Sequence, residues 1–511
     1  MAIRIDESAS GEAAAAMRRN RWLALLVLCL GDVMIVLDTT IVNVALPSIR
    51  SDLGFTGTSL AWVVNAYLLT FGGFLLLGGR LADLFGHRRL FLIGLTLFTA
   101  ASLACGLATS QAFLVAARAV QGIGGAIVAV VALSLIMTLF TEPADRAKAM
   151  GVIGFVMAGG GSIGVLLGGV LTAALDWHWI FLVNIPIGLA VAVLCVLLLP
   201  AGTGQPGTRL DIGGAVTVTA SLMLAVYAIA NGNQAGWGSW RTLGLLLAAV
   251  SLLALFLRIE SRARTPLMPL ALFRIRSLTT ANMVGVLWAA ALFAWFFLAA
   301  LYLQLVLGYP PLQVGLAFLP ANLIMGAFSL GLSDRLVMRF GIRLPLAGGL
   351  LLAGAGLALF ARAPVNGTFV FDVLPAMVLL GMGAGMAFNP VLLAAMSEVE
   401  PSESGLASGV VNTSFMMGGA LGLAVLASLA EARTSGLRSS GVEQLIALTS
   451  GYHLAFLVGA AFAVVAAALA FVALGATTPT GATAPMAAPA SATTPTGATT
   501  PIAAPASSAE A

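Results

Sequence analysis

Long apolar segments recur along almost the whole chain and constrain its fold more than any other feature. About fourteen of them are long enough to cross a hydrocarbon core, which takes about 20 apolar residues in a helix. Within lipid, backbone polar groups are satisfied only in helices and closed barrels. Only 9% of the 511 residues are charged, against about a quarter in soluble domains. The sequence therefore predicts an all-α polytopic membrane protein.

The segments, which we number as spans 1 to 14, fall into groups of six, two and six. They lie at 22–47, 58–79, 90–108, 111–140, 146–172 and 179–200, then at 211–230 and 240–258, and then at 278–306, 312–334, 344–362, 371–394, 403–430 and 451–474. We therefore divide the chain into a cytoplasmic N-terminal tail (1–21), a six-helix bundle (22–200), a linker with two additional spans (201–258), a second six-helix bundle with a preceding cytoplasmic loop (259–474) and a cytoplasmic tail (475–511). The tail is rich in Ala, Thr and Pro, and we expect it to be disordered.

Basic residues are distributed unequally between the two sides that fourteen spans create. Eighteen of the 24 Lys and Arg residues fall on the side of the N-terminus, five fall on the opposite side, and Arg118 lies within a span. Because Lys and Arg are retained in cytoplasmic loops, we expect both termini to be cytoplasmic. The first apolar stretch is too long for a signal peptide, so we expect a multi-pass membrane protein. Lys148 is the only lysine among the 24 basic residues, a bias that suggests a GC-rich bacterial genome, and we expect the bacterial inner (plasma) membrane.

Ionisable side chains deep within the spans are few: Asp32 and Asp38 in span 1, and Arg118 in span 4. Each costs several kcal/mol to bury, so each is a functional candidate. At about 1.5 Å per residue, Asp38 and Arg118 lie at comparable depths. A carboxylate beside a guanidinium stays ionised, whereas one in an apolar cavity favours its protonated form. A carboxyl group that alternates between these settings can couple proton flow to transport; the alternative is a static ion pair that braces two helices.

The loop after span 2 contains the segment G-R-L-A-D-L-F-G-H-R-R at Gly79–Arg89. Gly79 and Gly86 permit a tight helix exit and turn. Asp83 can pair with Arg88 or Arg89, and such a cluster could hold an inner gate shut; the alternative is simple anchoring by basic residues. A related segment at Leu332–Arg343 occupies the equivalent place in the second bundle, which fits the internal symmetry of transporters.

Two further sets of residues are candidates for packing and for substrate contact. Glycines of span 5 recur at helical spacing and let another helix approach closely, either for transport or as ordinary packing; they are Gly160, Gly164, Gly168 and Gly169. Aromatic, methionine and amide side chains make adaptable walls for hydrophobic ligands, although each could equally face lipid or a packing surface. The candidates for substrate contact are Asp38, Trp62, Tyr67, Trp295, Gln304, Asn389, Asn412 and Met416.

Four segments together resemble the fourteen-span drug:proton antiporters of the major facilitator superfamily. They are L-D-T-T-I-V-N-V-A-L-P at Leu37–Pro47, the loop at Gly79–Arg89, R-A-V-Q-G-I-G-G at Arg118–Gly125 and D-W-H-W-I-F-L-V-N-I-P at Asp176–Pro186. The resemblance implies the major facilitator fold, with two six-helix bundles plus two extra central helices. It also implies a role in proton transfer for the arginine of the third segment. The chain departs from the family at Leu84, where a basic residue is usual, and at Val165, where span 5 usually has proline.

The resemblance implies a proton-coupled secondary transporter that exports amphipathic, cationic or neutral drugs or natural products. We take Asp38 as the first candidate for the proton carrier, Asp32 as the second and Arg118 as their electrostatic modulator. The expected partners are a small hydrophobic or amphipathic substrate, protons and the lipid bilayer, with no nucleic acid, no cofactor and a monomeric chain. The alternatives are a dedicated exporter of one endogenous metabolite or antibiotic, which would give self-resistance, and a membrane sensor.

The sequence does not favour an enzyme. The three histidines, His87, His178 and His453, have no metal-ligand spacing, and the single lysine, Lys148, lacks the glycine pattern of a phosphate-binding loop. We therefore expect no catalytic residues, no metal site and no ATP-driven pump in this chain.

Overall fold

The computed structural model describes residues 7–140, 142–199, 212–263, 266–400 and 403–474, without the side chains of some stretches such as 7–20. The linker predicted after residue 200 and the C-terminal tail from residue 475 lie outside these residues. Helices account for most of the described chain, and no strand occurs within it.

Fourteen long helices lie at the fourteen predicted positions. In the first group they are α1 (Glu7–Leu53), α2 (Trp62–Phe85), α3 (His87–Gly106), α4 (Gln111–Leu139), α5 (Pro143–Ala174) and α6 (Asn184–Leu198). Then follow α7 (Ile212–Ala235) and α8 (Trp240–Arg262). The last group is α9 (Arg276–Leu301), α10 (Pro311–Ala327), α11 (Arg343–Phe360), α12 (Leu374–Met396), α13 (Ser404–Ser439) and α14 (Gln444–Ala473). Shorter helical segments join or extend several of these helices.

Local sequence signals explain where several helices begin and end. Ser110 precedes α4, and its hydroxyl accepts a hydrogen bond from the Phe113 N–H at 3.4 Å, as expected of a helix N-cap. Gly86 and Gly341 have φ values of 85° and 73°, which favour glycine. Gly86 separates α2 from α3, and Gly341 lies two residues before α11. The two bundles therefore turn at equivalent glycines, as the related loop segments predict.

In the described part of the chain, twelve helices are long and apolar enough to cross a membrane. The other two predicted spans are α5, of which only Ile163–Ala174 counts as a short apolar helix, and α10, which has 17 residues. Fourteen spans and cytoplasmic termini therefore remain predictions. The first candidate span begins at Arg21, close to the predicted residue 22. Its helix extends back to Glu7, because the Ala-rich sequence before Arg18 favours helix.

Contacts between the two groups of six helices involve a few specific pairs. Helix α2 packs on α13, α5 packs on α10, and α1 reaches α9 and α10. Helix α7 lies against both α2 and α13, and α8 packs on α7. The Asn233 side chain of α7 donates to the Ser428 carbonyl of α13 at 2.7 Å. The two additional helices therefore line one of the places where the six-helix groups meet.

Candidate functional site

Asp38 and Arg118 are brought together inside the first bundle. Arg118 Nη1 lies 2.5 Å from Asp38 Oδ2, and the exposed fractions of the two residues are 0% and 1%. Burial of an ionised group without a partner is costly, so each charge needs the other. The sequence predicts this proximity, because Asp38 in span 1 and Arg118 in span 4 lie at comparable depths.

The second carboxylate oxygen of Asp38 is satisfied by two amides. Gln121 Nε2 donates to Asp38 Oδ1 at 2.7 Å, and Asn184 Nδ2 donates to the same oxygen at 3.2 Å. Gln121 Nε2 is also 2.7 Å from the Ser102 hydroxyl oxygen. Asp38 therefore connects α1 with α3, α4 and α6 through buried polar side chains.

Arg118 is held by neighbours besides the carboxylate. Its Nε donates to the Val63 carbonyl of α2 at 2.9 Å, and its Nη1 is 2.6 Å from Gln121 Oε1. Its guanidinium carbon lies 4.4 Å from the centre of the Tyr67 ring, a cation–π contact. Arg118 therefore keeps several favourable contacts that do not depend on the charge of Asp38.

Three members of this network, Ser102, Gln121 and Asn184, are absent from the residues predicted to form the site. The Gln121 position carries a usable signal, because it follows Arg118 by three residues and shares its helix face. Asn184 lies in the family-like segment Asp176–Pro186, but nothing in that segment directs it to Asp38. Ser102 lies in none of the four segments, and only helix packing brings it to the network.

Asp32 lies on a different face of α1 from Asp38. It is buried, with 9% of its surface exposed, and no hydrogen bond or ion pair joins it to another residue in the part of the chain that the structure describes. At 3.6 residues per turn, Asp32 shares its face with Thr39 and Asn43, while Asp38 is rotated by about a third of a turn. The two acids therefore face different surroundings.

The structure describes part of the predicted gating loop. Arg88 Nη2 donates to the Val196 carbonyl of α6 at 2.7 Å, while Arg89 is exposed. A Cβ at Gly79 would contact Val130 at 3.2 Å, so α2 passes close to α4 here. The side chain of Asp83 lies outside the described residues, and its pairing remains a prediction.

The glycines of span 5 face two different helices. A Cβ at Gly168 would lie 2.7 Å from the Ile41 carbonyl oxygen, and one at Gly164 would lie 3.2 Å from that of Leu37. Gly160 faces the side chain of Val36, and these three glycines pack α5 against α1. Gly169 instead faces the Pro311 carbonyl oxygen of α10, with a Cβ distance of 2.8 Å. Helix α5 runs without a break past Val165.

The residues predicted to contact substrate are distributed over several places. Tyr67 and Trp295 are 1% and 2% exposed, and Trp295 packs on Phe296 with ring centroids 4.4 Å apart. Asp38 has no exposed surface and already accepts from three side chains. In this conformation these side chains close Asp38 off, and its contact with a substrate stays a prediction.

The remaining substrate candidates contact neighbouring helices or their own. Gln304 Nε2 donates to the Val44 carbonyl of α1 at 2.9 Å. Trp62 lies 6.3 Å from the Tyr227 ring of α7. Asn389 Nδ2 donates to Asp334 Oδ1 at 3.5 Å, and Asn412 Nδ2 donates to the Ser408 carbonyl at 3.2 Å. Met416 lies against Gly72 of α2. Their contact with a substrate stays a prediction.

Comparison with known proteins finds one family model and several relatives that cover most of the chain. The model of the Major Facilitator Superfamily matches residues 28–423. A puromycin resistance protein of Streptomyces alboniger is 40% identical over 87% of this chain and 89% of its own length. A cephamycin export protein of Amycolatopsis lactamdurans is 40% identical over 81% and 86%. The multidrug resistance protein Stp of Mycobacterium tuberculosis is 35% identical over 84% and 80%.

A solved structure also resembles this fold. A bacterial homologue of the human lysosomal transporter Spinster, in an inward-facing and unoccupied conformation, has a TM-score of 0.61. The comparison covers 89% of this chain and 97% of the homologue, at 17% sequence identity. Identity this low supports the shared fold alone.

Proposed function

The chain belongs to the Major Facilitator Superfamily, and from that membership we propose that it is a proton-coupled exporter of amphipathic drugs or natural products. Members of this family are transporters, so the chain is a multi-pass membrane transporter and not an enzyme. Relatives named for resistance to puromycin, for export of cephamycin and for multidrug resistance support the export of antibiotics or drugs.

The observation that carries the proton coupling is the buried pair of Asp38 and Arg118. The Asp38 carboxylate accepts hydrogen bonds from Arg118, Gln121 and Asn184, a set of donors that stabilises a negative charge. A proton that reaches Asp38 from the outer side converts the carboxylate to a neutral acid and removes its attraction to the guanidinium. Arg118 then keeps the Val63 carbonyl and Gln121 Oε1 as acceptors. One proton thereby loosens the attachment of α1 to the rest of the first bundle.

Helix α1 also connects Asp38 to the contact between the bundles. Asp38 lies six residues before Val44, whose carbonyl accepts from Gln304 of the second bundle. A movement of α1 that follows protonation therefore alters contacts on both sides, as rigid-body alternation of two bundles requires. Loss of the proton to the inner side restores the ion pair and completes the cycle. The proton gradient supplies the free energy, so the mechanism uses no cofactor.

A dedicated exporter of a single antibiotic is the second candidate. Relatives named for a single compound favour it, among them the puromycin, cephamycin and lincomycin proteins. In either case we propose fourteen spans, cytoplasmic termini and a monomer. The two six-helix groups and the even number of long helices support this topology.

Susceptibility profiling tests the export function. The protein is expressed in a bacterial strain that lacks its own efflux pumps, and growth is measured with puromycin, a cephamycin, lincomycin and several cationic dyes. Export raises the tolerated concentration, and a protonophore removes the gain because it dissipates the gradient. Tolerance to many compounds identifies a multidrug exporter, and tolerance to one identifies a dedicated exporter. No gain with any compound, despite full expression in the membrane, contradicts export and favours a sensor.

A further inference from the structure

A cavity of about 320 Å³ lies at one end of the second bundle. Helices α9 and α11 begin beside it, and α12 and α14 end beside it. Its polar lining includes Arg276, Ser277, Arg343 and Glu398, while Ile342 and Leu474 contribute apolar surface. The cavity is remote in sequence and in place from the Asp38 network of the first bundle, and the proton mechanism does not use it.

Two polar atoms at this cavity are buried without a hydrogen-bond partner. Ser277 is 5% exposed, and its hydroxyl oxygen has no partner among the described residues. The same holds for Nε of Arg343. Buried polar atoms almost always have partners, so such exceptions require an explanation. A ligand in the cavity that accepts hydrogen bonds would satisfy both donors.

The charges at the cavity favour an anion. Arg276 and Arg343 contribute two positive charges, and Glu398 contributes one negative charge. Within the described chain, neither arginine lies within 4.0 Å of a carboxylate. Glu398 instead accepts from the Ser277 N–H, at a long 3.4 Å. The Arg343 guanidinium carbon lies 3.8 Å from the centre of the Phe471 ring, which holds it in place.

Helix ends reinforce this preference. Helix α9 begins at Arg276 and α11 begins at Arg343, and neither N-cap residue caps its helix through its side chain. The Ser277 N–H of α9 meets the Glu398 carboxylate, but only at a long 3.4 Å. The first N–H groups of a helix are unsatisfied and carry partial positive charge, which attracts phosphate. Two such helix ends therefore meet at the same cavity as the two arginines.

We propose that this cavity binds the phosphate group of an anionic ligand through Arg276, Ser277 and Arg343. The phosphate can belong to an anionic phospholipid or to free phosphate. Basic pockets between membrane helices bind anionic headgroups, and the ends of four long helices lie at the expected depth of headgroups. The apolar side chains of Ile342 and Leu474 suit the remainder of a lipid.

The test measures thermal stability of the full chain in a neutral detergent at constant ionic strength. The probes are dihexanoyl phosphatidylglycerol, dihexanoyl phosphatidylcholine and inorganic phosphate. We expect phosphatidylglycerol to raise Tm and phosphatidylcholine to have a smaller effect. The Ser277→Ala and Arg343→Gln variants should each need about tenfold more phosphatidylglycerol for half of the maximal rise, because each loses a hydrogen bond to a charged group.

Arg339→Gln is the matched control, because it removes the same charge as Arg343→Gln. Arg339 is exposed and does not line the cavity. A rise with inorganic phosphate at similar concentrations, reduced by the same two variants, supports the site and identifies free phosphate as its ligand. Equal effects of the two lipids, or an equal loss in Arg339→Gln, overturn the proposal. If Arg343→Gln does not fold, Ser277→Ala alone decides, since it removes only the hydroxyl.

Discussion

Asp38→Asn is expected to abolish substrate flux driven by an imposed pH gradient in proteoliposomes, reducing it to the level of empty liposomes. The variant cannot take up or release a proton at this position, so the gradient no longer drives movement of α1. Exchange of labelled for unlabelled substrate needs no net proton movement and should continue. The measurement compares both fluxes at equal amounts of reconstituted protein.

Asp176→Asn is the control for this experiment. Asp176 accepts from His178 in the loop between α5 and α6, and 54% of its side chain is exposed. The substitution is chemically identical but lies outside the buried network, so gradient-driven flux should match that of the wild type. Undiminished gradient-driven flux in Asp38→Asn would show that another group, with Asp32 the next candidate, carries the proton.

The second large effect is expected on stability. Arg118→Met leaves the Asp38 carboxylate buried without its counterion, and this should lower the free energy of unfolding by about 3–5 kcal/mol. Adding Asp38→Asn to this variant should recover most of the loss. The neutral amide keeps an oxygen for Gln121 and Asn184, and no unpaired charge remains. Unfolding in detergent, followed with increasing dodecyl sulfate, measures both variants.

Arg89→Met removes an exposed arginine and should change the free energy of unfolding by no more than about 0.5 kcal/mol. If the double variant is as unstable as Arg118→Met, Asp38 and Arg118 are not energetically coupled, and the network described above does not hold α1. If the double variant recovers stability but gradient-driven flux stays absent, the pair serves coupling rather than mere bracing. This last outcome separates the proton mechanism from a static ion pair.

Much of the helix arrangement could be predicted from the sequence, because apolar segments of spanning length are visible without any tertiary information. Span 1 begins where the sequence predicts it, at Arg21, although the helix that contains it starts earlier, in the Ala-rich sequence. The similarity of the loops in the two bundles could also be predicted, because Gly86 and Gly341 both have the positive φ that favours glycine. These features depend on local sequence alone.

The site could be predicted only in part. Depth along a helix places Asp38 near Arg118, because rise per residue is fixed. Rotation of each helix about its axis is not fixed by sequence when apolar residues surround it, so the contributions of Ser102 and Asn184 could not be deduced. The same uncertainty applies to Tyr67 and Trp295, which are buried against neighbouring side chains in this conformation and whose contact with substrate stays a prediction.

Proton release on substrate binding tests the coupling by Asp38 most directly. The purified protein is placed in weakly buffered detergent solution, and pH is recorded as a transported compound is added. If Asp38 couples the exchange, the wild type releases protons, because substrate favours the conformation with the Asp38–Arg118 ion pair over the one with a protonated Asp38; Asp38→Asn releases none. Equal proton release from Asp38→Asn and the wild type would contradict this coupling.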